Sequence, residues 1–246
     1  MLRFLTNPLQ SRPLKACFCT LAIHAPYRQR ARLLLADAPS VPWIVLTDEP
    51  DDFAGLPVRT IRHLPTGPMA IDFLTKLPAS GNGTGLPAYH DKRFVVAAAL
   101  EEFETAIFVD ADTRMKSAPK LPRLRPGIAV VKNLRASIDE HLGRYGSERR
   151  PAFEQLAVHF GGDVGMLKTA RWCDEALFAV TKDGNESKFL EAWARGAEFL
   201  KGKGLLTGEG GVIGLAAAYA GWTVDYNSLD KLAALTLHEG HGPKSE

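Results

Sequence analysis

The stretch that decides the fold is DKRFVVAAALEEFETAIFVDADTRM, residues 91–115. Its first half has the apolar spacing of a helix, with Asp91 at the position of a capping residue. Its second half contains TAIFV, an apolar and β-branched run that is typical of a strand buried on both faces. Asp110 and Asp112 follow that strand directly. Because α/β proteins bind ligands at the carboxyl ends of their parallel strands, this pair predicts a binding site.

The segments before this stretch predict parallel winding. ACFCTLAI indicates a buried strand, YRQRARLLLADA a helix and VPWIVLTDEP a second strand, and VRTIRHL indicates a more exposed third strand. A strand, a helix and a strand at this spacing favour a βαβ unit. We therefore expect an α/β fold, with a Rossmann-like, mixed but mostly parallel sheet flanked by helices, in one domain that spans residues 1–246.

The rest of the chain predicts a loop before residue 91 and a mixture of strands and helices after residue 115. Residues 65–86 are rich in glycine and proline and predict a loop over one face. IAVVKN indicates a strand, GGDVGMLKTARW a glycine turn with a short strand and a helix, and residues 172–200 a largely helical stretch. VIGLAAAYA predicts a buried helix, and TVDYN and LAALTLHEGHG predict the last strands.

Composition excludes several classes of protein. The chain has 246 residues, 46% of them hydrophobic and 24% charged, as in ordinary globular proteins. A net charge of +2 is too small to favour nucleic acid as the main partner. Neither a secretion signal nor a transmembrane segment is predicted, and the three cysteines have no zinc-ligand spacing. These features predict a cytoplasmic protein.

The two aspartates have two interpretations. In an extended chain their carboxylates would lie about 7 Å apart on one side, and a turn would bring them closer. Two ionised carboxylates repel each other, and a divalent cation is the usual compensation. Such a cation could neutralise a bound diphosphate. The alternative is an acidic turn that holds no metal, and a short D-x-D pattern alone does not decide between them.

The order of helix KRFVVAAALEEF, strand TAIFV and turn DADTRM resembles nucleotide-sugar glycosyltransferases of the GT-A fold. It is most similar to two retaining families, the glycogenin and lipopolysaccharide galactosyltransferase family and the blood-group A/B transferase family. The resemblance implies a sugar transfer from a nucleotide-sugar donor, with a uridine diphosphate sugar expected, to a hydroxyl of a glycan or another acceptor. It also implies a nucleotide-binding half over residues 1–110 and an acceptor-binding half over residues 111–246.

The resemblance also implies the metal site and the reaction centre. Asp110 and Asp112 would hold Mn²⁺, or Mg²⁺, on the donor diphosphate. LTLHEGHGPK resembles the closing His-x-x-G-x-x-K segment of the glycogenin-like family, so His238 would complete the metal shell, with His241 as its competitor. TGEGGVIGLAAAYAGW places Glu209 where the blood-group family has its catalytic glutamate.

Contacts with the donor are implied at further positions. Arg93 lies at a spacing from Asp110 that resembles that of a donor-contacting arginine. FGGDVGML resembles the glycine turn that borders the donor sugar, which assigns Gly161 and Gly162. The end of the first strand is where such proteins hold the base. The residues implied there are Thr20, Tyr27 and, at the end of the second strand, Asp48.

Other classes remain open at this point. A nucleotidyltransferase of similar architecture usually carries a glycine-rich, basic loop after its first strand, which LAIHAPYRQR lacks. A phosphotransferase of the haloacid dehalogenase type carries D-x-D near its N-terminus, whereas more than a hundred residues precede it here. A non-catalytic relative that binds nucleotide sugars is the third alternative.

Overall fold

The apolar runs form a six-stranded sheet in this computed structural model, which describes residues 14–64, 87–131, 135–205 and 207–238. The strands in these ranges are β1 (Leu14–Ala22), β2 (Trp43–Thr47), β3 (Arg59–Arg62), β4 (Phe103–Val109), β5 (Thr113–Met115), β6 (Gly127–Val130), β7 (Leu177–Thr181) and β8 (Thr236–His238). The order in the large sheet is β3-β2-β1-β4-β7-β6, and β5 pairs with β8 in a second sheet.

Helices cover both faces of the large sheet. They are α1 (Ala25–Asp37), α2 (Lys92–Glu102), α3 (Ile138–Tyr145), α4 (Arg150–His159), α5 (Met166–Thr169), α6 (Glu186–Gly202), α7 (Glu209–Tyr219) and α8 (Asp230–Ala233). Alternate residues of β1 enter different cores: Cys17 and Cys19 pack with α2 and α7, whereas Phe18 packs with α1. This alternation is the expected result of a strand buried on both faces.

The direction of the strands confirms the predicted fold class. β3, β2, β1 and β4 run parallel to one another, while β7 runs antiparallel to both of its neighbours, β4 and β6. The sheet is therefore mixed and mostly parallel, with helices on both faces. Within the described ranges, no helix has the length and apolar character needed to cross a membrane.

Three local predictions are wrong. FGGDVGML contains no strand: Gly161, at φ 81°, ends α4, and α5 follows after a turn. The strand lies further on as β7, in a stretch predicted to be helical, because LFAVT is enclosed between β4 and β6. The side chain of Asp91 does not cap α2, because it pairs with the ring Nε2 of His63 at 2.9 Å.

Of the other local predictions, one falls outside the described residues and one is wrong in part. The predicted loop over residues 65–86 lies outside the described ranges. TVDYN forms a single bridge, between Asp225 and Ala129, rather than a strand, and LAALTLH forms α8 and β8.

Candidate functional site

A cavity of about 980 Å³ opens at the carboxyl ends of β1 and β4. Parallel strands deliver their following loops to one edge of the sheet, and the antiparallel β7 begins at that same edge. The volume is in the range of small-molecule sites in proteins. Among the described residues that line it, acidic side chains outnumber lysine and arginine. The acidic residues are Asp110, Asp112, Asp174, Glu175, Glu209 and Asp230, and the basic ones are Lys92 and Arg149.

Asp110 and Asp112 both line this cavity. The amide of Asp110 donates to the carbonyl of Ala176 at 2.8 Å, and the amide of Thr113 donates back to the carbonyl of Asp110 at 3.0 Å. The D-x-D segment is therefore a turn fixed at both of its ends. Asp112 is almost fully buried, and the guanidinium of Arg30 lies 3.7 Å from its carboxylate.

The strand that follows this turn is anchored from two directions. The Asp37 carboxylate at the end of α1 accepts two hydrogen bonds from Arg114, at 2.7 and 2.8 Å, and a third from the amide of Met115 at 2.9 Å. On the other side β5 pairs with β8, in a register that places Thr113 opposite His238. The backbone of His238 is thereby brought next to the residue that follows Asp112.

The donor set suits a hard divalent cation. Carboxylate oxygens of Asp110 and Asp112 line one cavity, and such oxygens are the preferred ligands of Mg²⁺ and Mn²⁺. Among the described side chains there is no group of three His, Cys, Asp or Glu arranged to hold a metal. Of the two predicted histidine ligands, the His238 side chain and the whole of His241 lie outside the described residues. The metal assignment stays a prediction.

Lys92 is the cation at the centre of the acidic wall. Its Nζ lies 3.0 Å from Oδ1 of Asp110 and 3.4 Å from Oε1 of Glu209, and it donates to the carbonyl of Glu175 at 3.0 Å. Burial alone would lower the pKa of this lysine, but the carboxylates of Asp110, Glu209 and Glu175 outweigh burial and raise it above the ordinary value. Lys92 therefore stays charged and fixes two cavity carboxylates relative to each other.

Glu209 is the first residue of α7 and is almost fully buried. Its position depends on three glycines that let α7 lie against the segment 171–175. A Cβ on Gly210 would overlap the carbonyl of Cys173, and a Cβ on Gly214 would overlap the carbonyl of Arg171. The sequence GEGGVIG therefore encodes a close approach of two backbones, which delivers the Glu209 carboxylate to Lys92. Burial raises the pKa of Glu209, although Lys92 opposes that shift.

Asp174 and Glu175 add two carboxylates to the same wall. They directly precede β7, and Leu177 of that strand pairs with Val109 of β4. Burial, followed by the charge of Glu209, raises the pKa of Glu175 to about 8. Burial also raises the pKa of Asp174. The acids that act most strongly on Lys92 are thus Asp110, Glu209 and Glu175. Because they lie close together and are partly or fully buried, not all three are ionised at neutral pH.

The predicted base-binding residues separate into one that lines the cavity and two that do not. Tyr27 lines it, and burial together with the charge of Asp112 raises the pKa of its hydroxyl. Thr20 is fully buried in β1, and its hydroxyl has no hydrogen-bond partner among the described atoms. Asp48 accepts the amide of His24 and pairs with Arg28 at 2.8 Å, so it shapes the rim of the cavity from behind.

Arg93, Gly161 and Gly162 do not line the cavity. Successive residues of a helix point about 100° apart, and here Lys92 faces Asp110 while Arg93 faces away. The Arg93 guanidinium donates to the carbonyl of His90 at 2.8 Å and lies over the ring of Phe94. The two glycines lie in the turn after α4. Their predicted contacts with a donor are untested.

Sequence reasoning missed Lys92, Asp174 and Glu175 as site residues. Lys92 stands next to Arg93, and linear spacing could not say which of the two faces the strand end. Asp174 and Glu175 had a usable signal, because two acids precede the strand-like run LFAVT. Had that run been interpreted as an antiparallel strand beside β4, its first residues would have been placed beside Asp110.

No protein-family model and no curated protein matches this chain. The fold and the chemistry of the cavity therefore carry the functional interpretation.

Proposed function

We propose that this protein is a metal-dependent glycosyltransferase that moves a sugar from a nucleoside diphosphate to an acceptor hydroxyl. The observation that carries the proposal is the position of Asp110 and Asp112, which leave the central strand β4 and line one large cavity. The pairing of β5 with β8 supports it, because it brings His238 beside the same turn. The three cysteines are buried and unpaired, which suits a reducing cytoplasm.

The residues divide into a binding and a reacting part. Tyr27 offers an aromatic ring to the base of the donor, and Asp110 and Asp112, with His238, would hold the cation on its diphosphate. When bound, that cation supplies positive charge to the departing diphosphate. The Glu209 carboxylate, held by Lys92, lies beside the strand end and can stabilise positive charge at the anomeric carbon or orient the acceptor.

The transfer balances without a further reactant. The bond between the anomeric carbon and the diphosphate oxygen breaks, and the nucleoside diphosphate leaves with the electron pair. A new bond forms between that carbon and the acceptor oxygen, whose proton passes to the departing phosphate or to water. Both families that the sequence resembles retain the anomeric configuration, so retention is the expected outcome.

Thermal unfolding with nucleotides tests the proposal. We expect uridine or guanosine diphosphate to protect the full chain in the presence of Mn²⁺, by about 5 °C or more at 100-fold excess over Kd. Asp112→Asn should lose the manganese-dependent part because it removes a ligand charge, whereas Asp51→Asn, at an exposed site, should keep it. Sugar release from a donor would then separate a transferase from a binding protein.

Several results would overturn the proposal. One is the failure of every nucleoside diphosphate to protect, with and without Mn²⁺. Another is undiminished metal-dependent protection in Asp112→Asn. Rapid turnover of simple phosphate esters with Mg²⁺ would point to the phosphotransferase class instead.

A further inference from the structure

A second part of the cavity lining comes from the connection between α3 and α4. The 3-10 turn Ser147–Arg149 supplies Arg149, which lines the cavity with its side chain about 15% exposed. Its guanidinium packs beside the residue before Glu209, because a Cβ on Gly208 would lie 3.6 Å from its Nη1. Glu209 thus contacts Lys92, while Arg149 packs against the residue that precedes Glu209.

Arg149 has few partners for a guanidinium in such a place. Its Nη2 donates to the carbonyl of Tyr145 at 3.0 Å, while its buried Nε has no hydrogen-bond partner among the described atoms. That same Nε does lie 3.4 Å from the Glu148 carboxylate, but the Glu148 side chain is 73% exposed, so that solvent screens the ion pair. An arginine offers five N–H donors, and burying them without acceptors costs free energy. A ligand in the cavity would supply those acceptors.

His141 stands next to Arg149 on the same wall. Its ring stacks on Trp172, with centroids 3.5 Å apart and planes 10° apart, and the residue is 7% exposed. Its Nδ1 is buried without a hydrogen-bond partner among the described atoms. Burial, together with the charges of Arg149 and Arg144, lowers the pKa of His141 to about 4, so the ring is neutral. A neutral imidazole can both donate to and accept from a sugar hydroxyl.

The charge of the cavity limits what can bind there. Carboxylates surround Lys92, and without a bound cation they would repel an anionic ligand from that side. We call the lining formed by His141, Arg149 and Trp172 the Arg149 wall. Among the described residues that line the cavity, this wall offers a cation, Arg149, outside the acidic cluster. We propose that the Arg149 wall binds the acceptor, and that this acceptor carries an anionic group, a carboxylate or a phosphate, near the hydroxyl that is glycosylated.

Position assigns this wall to the acceptor rather than to the donor. The donor side is marked by Tyr27 and the D-x-D turn at the ends of β1 and β4. Arg149 comes instead from the connection between α3 and α4, and reaches the cavity beyond Gly208. The inference rests on the proposed function, because it takes Glu209 as the place where donor and acceptor meet.

Calorimetry on the full chain, without nucleotide or metal, tests the inference. The probes are methyl glucuronide, a hexose phosphate, neutral methyl glucoside and inorganic phosphate, at low salt. We expect at least one of the charged sugars to bind about tenfold more tightly than methyl glucoside, as hydrogen bonds to charged groups allow. Whichever charged probe binds better identifies the anion.

Two variants locate the effect. Arg149→Gln should remove the preference for the charged sugar, and Arg149→Lys should restore only part of it because lysine lacks the planar fork. Arg144→Gln is the matched control: it removes one positive charge from the exposed end of α3 and should keep the preference. Circular dichroism confirms that each variant is folded.

The outcomes separate this inference from the proposed function. Equal binding of charged and neutral sugars by the wild type would overturn it, and so would an unchanged preference in Arg149→Gln. Inorganic phosphate that binds as tightly as the hexose phosphate would mean an adventitious anion only. Loss of nucleotide protection in Arg149→Gln would assign the arginine to the donor. Since the sugar titrations contain no nucleotide, failure of the nucleotide tests alone contradicts the transferase and not the anion preference.

Discussion

Two turns carry residues into the cavity, one after β1 and one before α7, and each contains a residue with positive φ. His24, after β1, has φ 71° and ψ 149°, a conformation that costs about 1–3 kcal/mol for a residue with a side chain. It is held by the Asp48 carboxylate, which accepts its amide at 3.1 and 3.2 Å. Gly208, before α7, has φ 104° without that cost. Its turn is held by close backbone packing.

The comparison shows two ways to fix a site residue. The His24 turn keeps a side chain at the price of strain, and polar contacts from a second strand offset that strain. After the Gly208 turn, α7 lacks side chains at Gly210 and Gly214, which allows its backbone to lie against the segment 171–175. Substitutions in the first turn should change the free energy of unfolding only slightly. Adding a side chain to the glycines of α7 should lower it strongly, because the facing carbonyls cannot move aside as a flexible side chain can.

The largest effect should come from Gly214→Ala. The new Cβ would overlap the carbonyl of Arg171, and the helix would have to move, which should cost about 3 kcal/mol or more. Urea denaturation measures the loss. Gly202→Ala is the matched control, because its Cβ would meet nothing within 4 Å at the end of α6, and alanine should be neutral or stabilise the helix. Equal effects in both variants would contradict the close-packing explanation.

Lys92→Met should come next. It leaves the buried carboxylate of Glu209 and the partly exposed one of Asp110 without their cation. Because solvent screens Asp110 in part, the loss should be about 2–3 kcal/mol, below that of a fully buried pair. The loss should grow with pH. Burial raises the pKa of Glu175 from its ordinary value of 4.5 to about 8, so the folded state binds more protons and stability falls as pH rises through this window. Without the positive charge of Lys92, ionising the neighbouring acids is less favourable in the folded state, so stability should fall more steeply as pH rises.

Urea denaturation at pH 5 and pH 8 checks this expectation. Exposed Lys168→Met is the control, and its stability should follow the wild type at both pH values. A deficit in Lys92→Met that is the same at pH 5 and pH 8 would show that lost packing, and not lost charge compensation, explains the destabilisation.

The smallest effect should come from His24→Gly. Glycine adopts φ 71° without steric cost, so the variant should be more stable by up to about 1 kcal/mol, once the greater freedom of the unfolded chain is subtracted. A clear loss of stability, measured by thermal unfolding, would mean that the imidazole itself holds the turn. Asp48→Asn, made beside it, should lower stability because it weakens the contact that offsets the strain.

The pattern of apolar residues shows how much of the fold the sequence could predict. The chain from β1 to β4 was predictable because each buried strand is a continuous apolar run and α1 and α2 have helical spacing. The position of Asp110 at a strand end followed from that pattern alone. The prediction of a helix at LFAVT is wrong because a short apolar run is compatible with either a helix or a strand, and the sequence does not show which strands lie beside it. What decides it is the pairing of Val109 with Leu177.

The site residues also differ in how far the sequence could place them. Asp110, Asp112, Tyr27 and Glu209 line the cavity, and each lies at or next to the end of a regular element that the apolar pattern predicts. The choice between Lys92 and Arg93 depends on the rotation of α2 against β4, which is set by packing. Arg149 had no local signal, because its place in the cavity depends on how the turn after α3 lies beside Gly208.

The pairing of β5 with β8 joins two segments that lie far apart in the sequence. The strands β1 to β4 pair with one another through residues 14–109. The D-x-D turn gains its second anchor only when Thr236–His238 reach Thr113–Met115, which closes a loop of more than a hundred residues. Because contacts of such long sequence separation form slowly, we expect this turn to become ordered later in folding than the parallel strands.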